Sequence, residues 1–523
     1  MLTGLSIGNF KAFGETQRVP IKPLTLIFGA NSAGKSSLLH GLLLGSHALK
    51  TGDLNVRQTG VGGDIVDLGG FDQFVHGGLT KSSVEWGVEL AISSFRKEEL
   101  REMFRSFRLL SIVTDIGLEY APDHGDAVAV KRLRVSTDGH QLIDCECAHV
   151  TAATTRWRCL AGTPSEDYLT RSGRPSATTT FWIYGVNPEH PALKDWIKHS
   201  WKKIAGAEPT KADWRVVETE WETICDWPMC VEAFLPNCVD GHFASLEEMK
   251  RRGFPKGSRK KAVVEFTHQL VGSFLNIVFE QIHEVTTDEL DRLTYLGPLR
   301  ALPPRRLIFP LAQSRPGDGS FAWQIVAQDK RIRARINEWL TSPSKFNTSL
   351  ELFSREWRAE RGERMAEVLI KDRRTKALVS HRDVGVGISQ VLPMMVTALS
   401  AENGLHLIEQ PELHLHPALQ AELGDLFIES ALGERRNTFL IETHSEHLLL
   451  RIMRRMRETS EGRLSKGLMP IKPNDVAVLF VQPDGSRSIV RELPLNERGE
   501  LLKQWPGGFF EEGLREVLPA YAR

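Results

Sequence analysis

One stretch constrains this chain more than any other: Gly29-Ala30-Asn31-Ser32-Ala33-Gly34-Lys35-Ser36, a complete G-x-x-x-x-G-K-S. It follows the strand-forming run Leu24-Thr25-Leu26-Ile27-Phe28. It precedes Ser37-Leu38-Leu39-His40-Gly41-Leu42-Leu43-Leu44, which reads as a buried helix. Strand, glycine-rich turn and helix together make a P-loop. The glycines let backbone N–H groups wrap a polyphosphate, and the helix N-terminus adds its dipole. Lys35 is placed to reach the β/γ-phosphates, and the Ser36 hydroxyl is placed to hold Mg²⁺. The expected nucleotide contacts are Gly29 to Ser37: Gly29, Ala30, Asn31, Ser32, Ala33, Gly34, Lys35, Ser36 and Ser37.

The chain has 523 residues, too many for one compact core. Its 66 Lys+Arg balance 66 Asp+Glu, so attraction to nucleic acid would have to come from a local patch. The six cysteines suit a reduced, cytoplasmic protein. Zinc bound by Cys145, Cys147, Cys225 and Cys230 is not expected, because their spacing matches no usual C-x-x-C pair. No apolar run of 18 residues is read, so neither a signal peptide nor a membrane span is expected.

The strand-like runs Val84–Ile92, Leu109–Tyr120, Ala127–Ser136, Gln141–Val150 and Thr178–Tyr184 alternate and are rich in β-branched residues, which predicts an antiparallel region. Tryptophans among Lys and Glu, then apolar residues at helical spacing from Phe266 to Val285, predict a mostly helical insertion over 187–290. Inside it, seven Lys/Arg between 250 and 261 read as a basic loop, a candidate contact for DNA. Two helices are expected near 320–340 and 348–359, then a hairpin of Glu367–Ile370 with Ala377–Ser380. From 389 onward helix and strand alternate, which predicts a parallel sheet with helices on both faces. The expected division is 1–186, an ATPase lobe with the P-loop and the antiparallel region; 187–290, the insertion; and 291–523, the rest of the ATPase head.

Three stretches complete the P-loop. Leu405-His406-Leu407-Ile408 ends in Glu409-Gln410-Pro411-Glu412, the Walker B form, with Glu409 as the Mg²⁺-supporting carboxylate. Gln410 follows where a water-orienting carboxylate is usual; an amide positions water but takes no proton, and Glu412 is the alternative base. Asp383-Val384-Gly385-Val386-Gly387-Ile388-Ser389-Gln390 reads as a second anion-binding turn that opens a helix. Phe439-Leu440-Ile441-Glu442-Thr443-His444-Ser445 is another strand with a polar end, with His444 as a candidate γ-phosphate contact. His414 and His416, at H-x-H spacing, are read as structural or dimer contacts.

In this order, the P-loop, the glycine-rich turn, IEQPELHLHP and ETHSEHLL resemble an ABC-type ATPase head of the SMC, RecF and OLD branch. YLGPLR, DVGVGISQVLP and WPGGFF further resemble ATPases of bacterial antiphage systems such as Septu and PARIS. The resemblance covers about 1–90 and 290–523. It implies a two-lobed head with ATP sandwiched between two copies, Lys35 and Ser36 of one facing Gly385, Gly387, Ser389 and Gln390 of the other. It implies His444 as the switch histidine and Gln73 as a poor match to the Q-loop glutamine. The activity it implies is slow hydrolysis of ATP, with Lys35, Glu409, Gln410 and His444 as the catalytic set and Mg²⁺ on Ser36 and Glu409. The role it implies is a nucleotide-dependent sensor or scaffold that controls an effector, such as a nuclease or toxin, in antiphage defence. The alternative is a RecF-like DNA-maintenance ATPase. The run Val478–Asp484 lacks the acidic start of a Toprim nuclease, so no nuclease is expected in this chain.

Overall fold

A computed structural model describes residues 1–79, 82–121, 127–151, 178–182, 186–225, 228–232, 235, 243–302, 305–308, 317–358, 363–383 and 386–506. Gly385 and the late WPGGFF motif beyond Pro506 lie outside the described residues.

The chain forms two compact units: 1–18, 44–57 and 68–291 in the first, and 19–43, 58–67 and 292–523 in the second. They cut across the three expected segments. Long-range strand pairing is the reason: the P-loop strand Leu24–Gly29 lies between two strands from the far end of the chain, Thr438–Glu442 and Val476–Asp484, parallel to both.

The first unit holds the antiparallel region. Its eight-stranded sheet runs in the order Gln17–Pro20, Leu2–Gly8, Val84–Ala91, Ser111–Ala121, Ala127–Thr137, His140–Thr151, Thr178–Trp182 and Pro228–Glu232. The five runs expected from alternation are all present. The last strand lies within the segment read as helical, and it pairs antiparallel with Thr178–Trp182. The described remainder of that segment includes the helices Pro191–Ala205, Lys211–Thr219, Trp221–Ile224, Leu246–Arg252 and the 33-residue Arg259–Asp291. This last helix has the length and hydropathy of a membrane span, a feature the run-length reading missed because polar residues interrupt it. Phe266, Leu270, Phe274, Val278 and Ile282 are all buried inside the unit, as in a core helix.

The basic stretch 250–261 is half helix, and only its middle, 253–258, is a loop. Lys250, Arg251 and Arg252 end one helix, and Arg259, Lys260 and Lys261 open the next. Among the described residues, four of its seven cations have ion pairs: Lys250 with Glu247, Arg252 with Glu248, Arg259 with the buried Asp213, and Lys260 with Glu220. The bidentate Arg259 guanidinium holds the Asp213 carboxyl down at about 2.

The second unit is built on a six-stranded sheet ordered Leu293–Leu296, Leu405–Glu409, Thr438–Glu442, Leu24–Gly29, Val476–Asp484 and Arg487–Glu492. The first five strands are parallel, and the last closes a hairpin. Leu24, Leu26 and Phe28 enter one core cluster with Ile408, Ile441 and Val478. Ile27, Leu407 and Leu440 alternate with them and are buried as well, as expected for parallel strands covered on both faces. The helices Val386–Ser400, Pro417–Leu432 and Glu446–Ser460 connect or follow these strands. The expected fold class, an α/β P-loop head with an added antiparallel region, is the fold observed.

A second, antiparallel sheet in this unit corrects one expectation. Residues 348–359 were expected to be helical; instead Leu350–Arg358 is a strand that pairs along its whole length with Arg364–Asp372. Leu352 and Ser354 alternate with the outward Phe353 and Arg355, so the segment has period two despite its charged, helix-compatible composition. The expected hairpin is present, with Leu369, Ile370 and Lys371 opposite Ser380, Val379 and Leu378.

Candidate functional site

All residues that carry the site lie in the second unit. Gly29 ends the P-loop strand at φ +147, and a Cβ there would stand 2.2 Å from the Val481 carbonyl oxygen, so only glycine fits. Gly34, at φ +93, turns the chain into the helix Lys35–Thr51. Ala30, Asn31 and Ser32 are exposed at the loop tip, whereas Ala33, Lys35 and Ser37 are buried.

The Lys35 ammonium folds back under its own loop. It donates to the carbonyls of Gly29 (3.2 Å) and Ala30 (3.0 Å) and lies 3.7 Å from Glu442 Oε1. The Ser36 hydroxyl donates to the other oxygen, Glu442 Oε2, at 2.6 Å. Burial lowers the Lys35 pKa, opposed by the charges of Glu442, Glu409 and Glu412. Three carboxylates thus surround the P-loop lysine.

Glu442 is the candidate site residue that the sequence alone does not single out. The expected metal-side carboxylate was Glu409. In the structure Glu409 accepts a hydrogen bond from Tyr295 Oη at 3.0 Å and lies 3.8 Å from His40 Nε2. Sheet order is the cause. The strand ending in Glu442 lies between the P-loop strand and the strand ending in Glu409, and the two glutamates are register partners. Both strands carry the same signal, an apolar run ending in a carboxylate, and nothing in the sequence says which of them adjoins the P-loop.

The segment after Glu409 is fixed from several sides. Gln410 has a left-handed backbone, φ +44, and its N–H donates to the Glu442 carbonyl at 2.7 Å. Buried Arg300, from the YLGPLR stretch, donates to the carbonyls of Glu409 (2.8 Å) and Gln410 (3.3 Å). Burial pushes the Arg300 guanidinium down to about 10. Glu412 accepts from the Thr443 hydroxyl and from the His444 backbone N–H, both at 2.6 Å. Burial raises the Glu412 carboxyl above its ordinary range. Burial, then the Lys35 charge, lowers the His444 imidazole and favours its neutral form. His416 caps the helix Pro417–Leu432 by accepting from the Ala418 N–H, and His414 is exposed.

The glycine-rich turn departs from its expected placement. The helix opens at Val386, and Ser389 and Gln390 lie in its first turns, buried. The Ser389 hydroxyl is fully buried with no hydrogen-bond partner among the described residues, and Gln390 Nε2 donates to the Arg300 carbonyl at 3.3 Å. Among the described residues of Gly385–Gln390, only Gly387 is recorded with partial exposure. Ser389→Arg is therefore expected to unfold this unit rather than to block a surface contact selectively. A buried, unpaired charge costs several kcal/mol, so a thermal melt should lose its second-unit transition; a variant melting like wild type would show that the helix start is free to open. Gln73 is exposed in the short helix Phe71–Phe74 of the first unit.

The oxygens that converge on Ser36 come from a hydroxyl and a carboxylate. A small hard cation such as Mg²⁺ takes this donor set together with phosphate oxygens and water, so the residues fit it. Ser36 and Glu442 would hold the ion, which would supply positive charge to neutralise the bound polyphosphate.

Residues 322–449 match the family described as AAA ATPase domain, a stretch that includes Glu409, Gln410, Glu412, Glu442 and His444 and leaves out the P-loop. Residues 471–518 match a family described as a protein of unknown function. No curated protein matches the chain. Among solved structures, the chain is similar to an SMC head bound to the C-winged helix domain of ScpA, at 12% identity over 94% of this chain and 98% of that one, with a TM-score of 0.37. It is similar to the SMC head domain from Thermotoga maritima at 9% identity over 94% and 98%, with a TM-score of 0.34. A third is an Smc head domain with an extended coiled coil bound to the C-terminal domain of ScpA derived from Pyrococcus furiosus, at 12% identity over 94% and 96%, with a TM-score of 0.35. Likeness at this level transfers neither partner nor activity. The family match likens residues 322–449 to an ATPase domain.

Proposed function

We propose that the chain binds Mg²⁺-ATP at Gly29–Ser37 and hydrolyses it slowly. The observation that carries this reading is the convergence of Lys35 Nζ and Ser36 Oγ on one carboxylate, Glu442. In this arrangement the lysine and the serine are held by Glu442 and by the loop carbonyls. Bound phosphates would draw the Lys35 ammonium, and Ser36 and Glu442 are the residues that would hold the cation. Glu409 stands behind, held by Tyr295, and Gln410 supplies an amide in place of a base. His444 is the candidate γ-phosphate contact, its backbone set by Glu412.

Glu442→Gln tests the cation assignment. The amide keeps the shape and the hydrogen bond to Ser36 but loses the charge. Hydrogen bonds to charged groups contribute about 1.5–3 kcal/mol. The gain in ATP affinity from added Mg²⁺ should therefore shrink by roughly ten- to a hundredfold, as read by calorimetry with and without the metal. An unchanged Mg²⁺ effect would return the metal to Glu409.

The finer role is a nucleotide-dependent switch that self-associates and governs an effector in antiphage defence; the motif resemblance supports it. Because Ser389 and Gln390 are buried, a nucleotide shared between two copies would be met at the partly exposed Gly387. Nucleotide bound across two copies stabilises the pair by mass action, so sedimentation should show a larger species with ATP than without. A monomer at saturating ATP would refute the shared site. The ion pairs of Lys250, Arg252, Arg259 and Lys260 weigh against a DNA-maintenance role through those four cations.

A further inference from the structure

The small antiparallel sheet of the second unit turns one face to the core and the other outward. Leu352, Ala366, Val368 and Ile370 fill the core side. The register puts Phe353 opposite Leu369, Arg355 opposite Glu367, and Trp357 opposite Met365 on the outward side. Paired residues of an antiparallel ladder share a face, so Phe353, Arg355 and Trp357 form an alternating aromatic–basic–aromatic row. Phe353 is 38% exposed, and Ile308 and Leu378, on the strands flanking this face, are 53% and 47% exposed. A cation sits by each ring: Lys371 Nζ is 5.6 Å from the Phe353 centroid, and Arg306 Cζ is 5.9 Å from that of Trp357. Glu351 and Glu367 share the face. At the Lys371 end, the turn adds exposed Arg373 and Lys376.

We propose that this face binds single-stranded nucleic acid, with bases stacking on Phe353 and Trp357 and backbone phosphates meeting Arg306, Arg355 and Lys371. Flat aromatic faces interleaved with cations are what unpaired bases and their phosphates require. The two rings are four strand residues apart, roughly 13 Å, so they serve separate bases. Glu351 and Glu367 repel either polyanion alike, but an acidic peptide has no use for the rings. A duplex hides the faces of its bases. The chain has no net charge, so the attraction is local to this patch. The site is independent of the nucleotide reading.

Fluorescence anisotropy of the full chain with a labelled oligothymidylate of about 15 nucleotides, over a salt series, tests the proposal. Binding should be saturable at low salt, with log K falling by about 0.7 per log unit of salt for each phosphate contact. The double variant Phe353→Leu/Trp357→Leu keeps apolar bulk and removes the π-faces; it should weaken binding at least tenfold with the slope kept. Phe353→Tyr should bind like wild type. Lys371→Ala, at the surface, should lower the slope by about 0.7 and leaves the test intact if the double variant folds poorly. The proposal is overturned by absence of binding, by a Leu variant that folds and binds like wild type, by equal binding of polyglutamate, or by preference for a hairpin duplex.

Discussion

Gln410→Glu is expected to raise the single-turnover rate of ATP hydrolysis by roughly 10²–10⁴-fold, the usual contribution of a positioned general base. The geometry around residue 410 suits the test. Its N–H is bound to the Glu442 carbonyl and its carbonyl to Arg300, so the new side chain leaves the same fixed backbone point. The left-handed φ of +44 strains Gln and Glu alike, so no backbone change is expected. The amide orients water without accepting its proton; the carboxylate does both. Glu412 is the rival base, but both of its oxygens already accept hydrogen bonds, from Thr443 and His444. Glu412→Gln should therefore disturb the placement of His444 rather than remove a base. A wild type that already turns over at about 10 s⁻¹, with no gain in Gln410→Glu, would assign the base elsewhere.

Lys35→Ala is expected to lower ATP affinity by more than a hundredfold. The ammonium is the positive centre among Glu409, Glu412 and Glu442. Hydrogen bonds to charged groups contribute about 1.5–3 kcal/mol, or roughly ten- to a hundredfold and more. Without Lys35 the three carboxylates would also repel the polyphosphate. The side chain is buried, 4% exposed, and it satisfies two loop carbonyls, so a modest loss of stability should accompany the loss of binding. Anisotropy of a fluorescent ATP analogue, read beside a thermal melt, separates the two effects. A folded Lys35→Ala that binds like wild type would remove the site from this loop.

Local pattern made much of the fold legible. The P-loop is contiguous and each of its residue types has a local reason, so strand, turn and helix lie where the pattern puts them. The antiparallel strands of the first unit follow from period-two alternation. What stayed hidden depends on neighbours far along the chain. Glu442 and Glu409 end strands of the same kind, and only the sheet order brings Glu442 to Ser36. Arg300 looks like an ordinary surface cation until the fold buries it against the Glu409 and Gln410 carbonyls. Ser389 follows the same logic: it fits a helix start by sequence, but the helix begins at Val386 and carries it inward. The strand Leu350–Arg358 was misread because its charges suit an exposed helix, and its partner strand, not its composition, fixes its conformation.

Calorimetric titration of the full chain with ATP, with and without Mg²⁺, bears most directly on the P-loop as a working nucleotide site. Saturable binding with one ATP per chain, tightened by Mg²⁺ and lost in Lys35→Ala, is the expected result. Absence of ATP binding by the wild type, or binding indifferent both to Mg²⁺ and to Lys35→Ala, would contradict it.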